Sequence, residues 1–180
     1  MNRFFVLLLL LSSFLCFSQE DGWQISTTTH TNYTGIVVAN GRIGILPSEN
    51  PFQVKQIILN NVYDKESPLG VSRILEGMNF GNLNVFIDGE LITEKNIDNW
   101  KQTLNMKNGS FTTTFSFKDK ANITYTIYAL RNVPYTGYID ISIEAKQNID
   151  VKCTGKIETL KEYQNPMSTF RVLKDNETTM

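Results

Sequence analysis

Histidine is nearly absent from this 180-residue sequence, and the scarcity excludes several chemistries at once. His30 is the sole histidine, so neither a multi-histidine metal site nor a Ser-His-Asp triad on any other histidine can be built. No spacing of carboxylates around His30 suggests a metal ligand set, so no metal and no cofactor is assigned. The phosphate-loop pair Gly-Lys-Ser or Gly-Lys-Thr does not occur. Gly41-x-x-Gly44 is too short for a dinucleotide loop and lacks its third glycine and following helix. Excess charge is missing as well. A net charge of −1 with 19% charged residues gives no electrostatic reason to expect nucleic acid or an anionic membrane as partner. No apolar run reaches the roughly 20 residues of a membrane-spanning helix, so no span is expected. Amphipathic helical periodicity is also lacking, and only Ile157 to Tyr163 has the composition for a turn or two of helix.

Cysteine is limited to Cys16 and Cys153. Arg3 followed by the apolar stretch Phe4 to Leu11, with Cys16-Phe17-Ser18 supplying small residues for cleavage, reads as a secretory signal peptide over residues 1–18. Cleavage after Ser18 makes the chain secreted or periplasmic. Lipidation of Cys16 is the alternative, and Leu15 argues against it by standing where such signals carry Gly, Ala or Ser. With Cys16 removed, Cys153 has no disulfide partner in the chain and reads as a small buried hydrophobe.

What is abundant is alternation. Hydrophobic residues make up 41% and aromatics 11%, the composition of one globular domain, here residues 19–180. Phe111, Thr113, Phe115 and Phe117 share one face, as do Ile123, Tyr125, Ile127 and Ala129, then Ile139, Ile141 and Ile143, then Val151, Cys153 and Ile157. Period two over consecutive segments separated by polar turns predicts antiparallel strands with one wet face. Upstream, Trp100, Gln102, Leu104 and Met106 share a face, as do Leu83, Val85 and Ile87, and Val54 to Val62 reads as a strand. Asn40-Gly41, Asp88-Gly89 and Asn108-Gly109 mark turns. Gly22 to His30 suits an edge strand, with Trp23 plugging the end of a core rather than stacking on a sugar. The fold class is therefore all-β, an antiparallel two-sheet β-sandwich. Thr169 to Leu173 reads as a further strand, so the sandwich is expected to be incomplete at its C-terminus.

No catalytic constellation stands out. Asp64 with Glu66, or Asp88 with Glu90, are the carboxylate pairs a glycoside hydrolysis would need, but each sits in a hydrophilic turn where carboxylates are ordinarily solvated. The one functional texture is a polar and aromatic set in the stretch Ala39 to Gly89, comprising Asn40, Arg42, Asn60, Asn61, Tyr63, Asp64 and Arg73. Planar amides, carboxylates and arginine donate and accept in pairs as sugar hydroxyls require, with an aromatic face beneath. Turns and strand ends use the same residue types, so the set is a candidate for carbohydrate binding or for domain docking.

Ala-Asn-Gly-Arg-Ile-Gly (39–44), Leu-Asn-Asn-Val-Tyr-Asp (59–64) and Trp-Lys-Gln-Thr-Leu-Asn-Met-Lys-Asn-Gly (100–109) resemble the N-terminal domain of glycoside hydrolase family 65. That family contains maltose, trehalose and kojibiose phosphorylases and acid trehalases. Asn61 stands where the family's turn has glycine, and Asn105 and Lys107 stand for Asp and Arg. The resemblance spans roughly residues 22 to 158. It implies a β-supersandwich preceding an (α/α)6 catalytic barrel, with the general acid on that barrel. None of the barrel is present, so no catalytic residue is carried over. The domain's implied work is to pack on the barrel, shape the substrate entrance and, in some members, support dimer contacts.

The expectation is thus a truncated, secreted, non-catalytic N-terminal sandwich of an enzyme acting on α-glucosides by inverting hydrolysis or phosphorolysis. Its partner would be carbohydrate, reached through the missing catalytic domain. The alternative is a free-standing carbohydrate-binding or adhesive module.

Overall fold

The computed structural model describes residues 22–29, 34–65 and 70–158. The expected signal segment with Cys16, and with it His30, Glu66 and residues 169–173, lie outside the described residues. Among the described residues twelve strands follow one another: β1 (Gln24–Thr27), β2 (Val38–Ala39), β3 (Ile43–Pro47), β4 (Val54–Lys65), β5 (Ser72–Glu76), β6 (Asn79–Ile87), β7 (Glu90–Leu91), β8 (Asp98–Asn105), β9 (Ser110–Phe117), β10 (Ala121–Ala129), β11 (Gly137–Ala145) and β12 (Val151–Glu158). Among the described residues the only helical element is one 3-10 turn, Glu94–Asn96.

The five-stranded sheet β1-β8-β9-β10-β11 forms one layer and is antiparallel throughout. Its register pairs Phe115 with Ile123, Thr113 with Tyr125 and Phe111 with Ile127, so the alternating residues of neighbouring strands fall on a single face. That face is the core: Phe117, Thr113, Tyr125, Ile123 and Ile127 are almost wholly buried. Burying one such side chain contributes roughly 1.5–3 kcal/mol. Phe52 closes over the centre, its ring centroid 4.7 Å from that of Tyr125.

The opposing layer is split into the four-stranded sheet β2-β3-β4-β5 and the three-stranded sheet β12-β6-β7. The two-sheet expectation therefore needs refining to one sheet facing two. Asparagines stitch the split: Asn82 Oδ1 accepts from Val54 N at 2.7 Å, and Asn79 Nδ2 donates to Val54 O at 2.6 Å. Ile43, Ile45 and Ile57 from the first sheet and Val85 and Ile87 from the second meet the five-stranded sheet in one hydrophobic cluster.

The turn signals behave as their backbone chemistry demands. Gly41 has φ +86, and Asn40 N donates to Ile43 O to close the β2–β3 hairpin. Asp88 (φ 51) and Gly89 (φ 78) both enter the left-handed region, as a tight hairpin between β6 and β7 requires. Asn61 is left-handed too, at φ 67, and the β4–β5 register slips between Ile58 and Tyr63. Asparagine tolerates that conformation better than most residues other than glycine.

Two expectations of burial fail, each for want of a cover. Cys153 is exposed rather than buried. It pairs with Val85 and so lies on the core side of its sheet, but β12 is that sheet's edge and no described element packs over it. Ile157, at 69% exposure, belongs to β12 rather than to a helical turn, and residues 159–163 of that expected turn lie outside the described residues. Trp23 is 54% exposed: it precedes the edge strand β1, and its carbonyl accepts from Met106 N while the ring plugs no core.

Candidate functional site

Asn40, Arg42, Asn60, Asn61 and Tyr63 gather at one end of the sandwich, where the β2–β3 turn meets the bulge of β4. Asn40 Oδ1 accepts from the backbone nitrogens of Arg42 (2.8 Å) and Ile43 (2.9 Å), which shapes the turn. Its Nδ2 donates to Leu130 O at 2.6 Å, tying the turn to the end of β10. Asn60 adds a second brace: its Nδ2 donates to Gly41 O at 2.8 Å, its backbone nitrogen to Arg42 O at 2.8 Å, and its Oδ1 accepts from Asn61 N at 2.9 Å. Both amides are thus engaged with backbone groups of the fold itself.

A residue absent from the sequence-based set completes the constellation. The Tyr135 hydroxyl donates to Asn60 O at 3.2 Å, from a loop in which Tyr135 itself takes φ 59 and Leu130 N donates to Thr136 O. Nothing in the local sequence links Tyr135 to Asn60. Its one signal is an aromatic that follows proline in the turn after β10. Arg42, Asn61 and Tyr63 are left exposed on this end, with Tyr135 beside them. Asp64 and Arg73 are backbone partners across β4 and β5. The structure therefore brings the set together along one loop end and the adjoining strand pair.

The carboxylates of the β6–β7 turn lie at the other end of β10, beside Lys120 rather than Leu130. Asp88 pairs with Lys120 and accepts from Asp150 N, while Glu90 pairs with Lys118 and accepts from Asn96 Nδ2. The hydrogen bond from Lys120, and then that from Asp150, hold the Asp88 carboxyl below its usual range. Lys118 and then Asn96 do the same for Glu90. A general acid needs its pKa raised, so this pair is tuned the opposite way and serves as anchors between strands.

The core holds one polar row. Gln102 Nε2 donates to Ser48 O (3.0 Å) and Thr113 Oγ1 (3.2 Å), which leaves its Oε1 buried without a partner. Burial raises the pKa of the Tyr125 hydroxyl, which faces Thr113 and the Phe52 backbone without a hydrogen bond of good geometry. A cleft of about 240 Å³ opens between β1 and residues 34–36 over Leu104 and Phe111, and Asn40, Arg42, Asn60, Asn61 and Tyr63 do not line it. The described residues contain no grouping of His, Cys, Asp and Glu able to hold a metal ion, and no helix among them is long and apolar enough to cross a membrane.

Comparison with known proteins agrees with the motifs. The family described as glycosyl hydrolase family 65, N-terminal domain, matches residues 19–174. A kojibiose hydrolase of Flavobacterium johnsoniae is 36% identical over 172 residues, covering 94% of this chain. A kojibiose hydrolase of Mucilaginibacter mallensis is 38% identical over 172 residues, covering 92% of it. The chain spans 25% of the length of each of these relatives. An all-β antiparallel sandwich, the turn asparagines of the loop end and a match over most of the sequence lead to one conclusion: this chain belongs to glycosyl hydrolase family 65 and corresponds to the family's N-terminal domain.

Proposed function

We propose that the chain serves an exported enzyme acting on α-glucosides, as a non-catalytic wall that docks against the catalytic part and borders its entrance. One observation carries this reading. The amides of Asn40 and Asn60, which a sugar would need as donors and acceptors, are turned into the fold and hold its loops. What faces outward on that end is Arg42, Asn61, Tyr63 and Tyr135, a mixture of arginine and tyrosine suited to contact with another protein surface. The inward row of β12 supports the same reading, because Val151 pairs with the buried Ile87 and so points core-side yet stays exposed, as surfaces do when they await a neighbour. Kojibiose is the first substrate to test for the whole enzyme, since both relatives carry the name kojibiose hydrolase. Hydrolysis is favoured over phosphorolysis, because a sugar phosphate released outside the cell is of little use to it.

Calorimetric titration of the purified chain with kojibiose and with α-glucans tests the docking reading. It expects no saturable heat. Saturable heat abolished by Arg42→Ala or Tyr63→Ala would favour a free-standing carbohydrate-binding module instead.

A further inference from the structure

Two Asn-Gly dipeptides occur, Asn40-Gly41 and Asn108-Gly109. In such a pair the glycine nitrogen, uncrowded by any Cβ of its own, can attack the asparagine Cγ. The new C–N bond closes a five-membered succinimide, the attacking nitrogen loses its proton, and the side-chain nitrogen departs as ammonia. Water then opens the ring to aspartate or isoaspartate. The negative charge of the tetrahedral intermediate develops on Oδ1, and hydrogen-bond donors there favour the step.

Both asparagines have such donors, so the oxyanion does not distinguish them. Asn40 Oδ1 accepts from Arg42 N and Ile43 N, while Asn108 Oδ1 accepts from Ser110 N (3.2 Å) and Ser110 Oγ (2.7 Å). The leaving group does distinguish them. Asn40 Nδ2 is held by Leu130 O at 2.6 Å, a contact across 90 positions of sequence, and the side chain is half-buried. Asn108 is exposed, and among the described residues no hydrogen bond holds its Nδ2. Its attacking nitrogen, Gly109 N, is tied only to Asn105 O at 2.9 Å within the same exposed turn. Freeing that nitrogen needs one hairpin turn to open, whereas freeing Asn40 needs two distant segments to part, and exposed turns open at the low end of local stability.

We propose that Asn108 is a site of spontaneous deamidation in the folded chain and that the clasp to Leu130 protects Asn40 from the same reaction. Aspartate at 108 still accepts from Ser110, so the β8–β9 turn survives the change. Isoaspartate adds a backbone methylene beside Gly109 and shortens the matched part of the hairpin.

The test incubates the full chain at mildly alkaline pH, folded and in strong denaturant, and follows the two asparagine peptides by mass mapping. In the folded chain the Asn108 peptide is expected to convert at least about tenfold faster than the Asn40 peptide, the ratio that a difference of about 1.4 kcal/mol in local opening produces. In denaturant the two rates should converge, because both are Asn-Gly. Equal rates in the folded chain, faster loss at Asn40, or a ratio unchanged by denaturant would each overturn the proposal.

Discussion

The Asn40 side chain donates to the carbonyl of Leu130 at 2.6 Å, joining the first hairpin to a loop 90 positions away. With its Oδ1 also occupied by Arg42 N and Ile43 N, this amide fixes the loop end on which Arg42, Tyr63 and Tyr135 are displayed. Asn40→Ala removes three hydrogen bonds from a half-buried site and leaves a carbonyl unpaired. The expected loss is about 1–3 kcal/mol in a urea unfolding curve. Asn40→Asp should cost at least as much, since its carboxylate would face the Leu130 carbonyl with no proton to offer.

The core separates packing from polarity. Phe117 is wholly buried in the five-stranded sheet, and Phe117→Ala should lose about 3–5 kcal/mol of stability. Tyr125→Phe removes a hydroxyl that has no hydrogen bond of good geometry, and its effect should stay within about 1 kcal/mol. Chemical denaturation of the two variants side by side checks both.

Acid should weaken one end of the sandwich through Asp88 and Glu90. Their carboxyls are held below the usual range by Lys120 with Asp150, and by Lys118 with Asn96. A depressed folded-state pKa gives stabilisation that is present above the ordinary carboxylate range and disappears as pH falls through the depressed values. Lys118→Met with Lys120→Met should therefore be less stable than the parent at neutral pH and indistinguishable from it at strongly acid pH. The gap should be small and shrink with added salt, because both pairs are exposed. Unfolding midpoints across pH and salt measure it.

Cys153 on β12 is open to solvent. A maleimide should modify it in the folded chain at a rate near that of the unfolded chain, read by peptide mapping, whereas a buried thiol would be protected. Ile157→Ser, at an exposed position of the same strand, should change stability by less than about 0.5 kcal/mol.

These residues also mark where sequence reading stops. The alternation in β9 and β10 fixes which side chains face inward, and those residues are buried because a second layer covers them. The same alternation in β12 fixes the direction of Val151 and Cys153 but carries no information on whether anything lies above them. Burial belongs to the neighbour, and period two describes only the strand. The hairpins at Asn40-Gly41 and Asp88-Gly89 were legible because a positive φ is a local demand that few residues meet. Asn40 was legible as turn chemistry, since its side chain closes on the backbone of its own hairpin. The braces from Asn40 to Leu130 and from Tyr135 to Asn60 were not, since they form only once distant strands are in register.

The most direct test of the central claim, a family 65 N-terminal domain without chemistry of its own, is a glucose-release assay. The purified chain is incubated with kojibiose, maltose and trehalose, with and without phosphate. No glucose and no glucose phosphate above the protein-free control is the predicted result. Release of either product in proportion to protein concentration, from any of the three sugars, would contradict it.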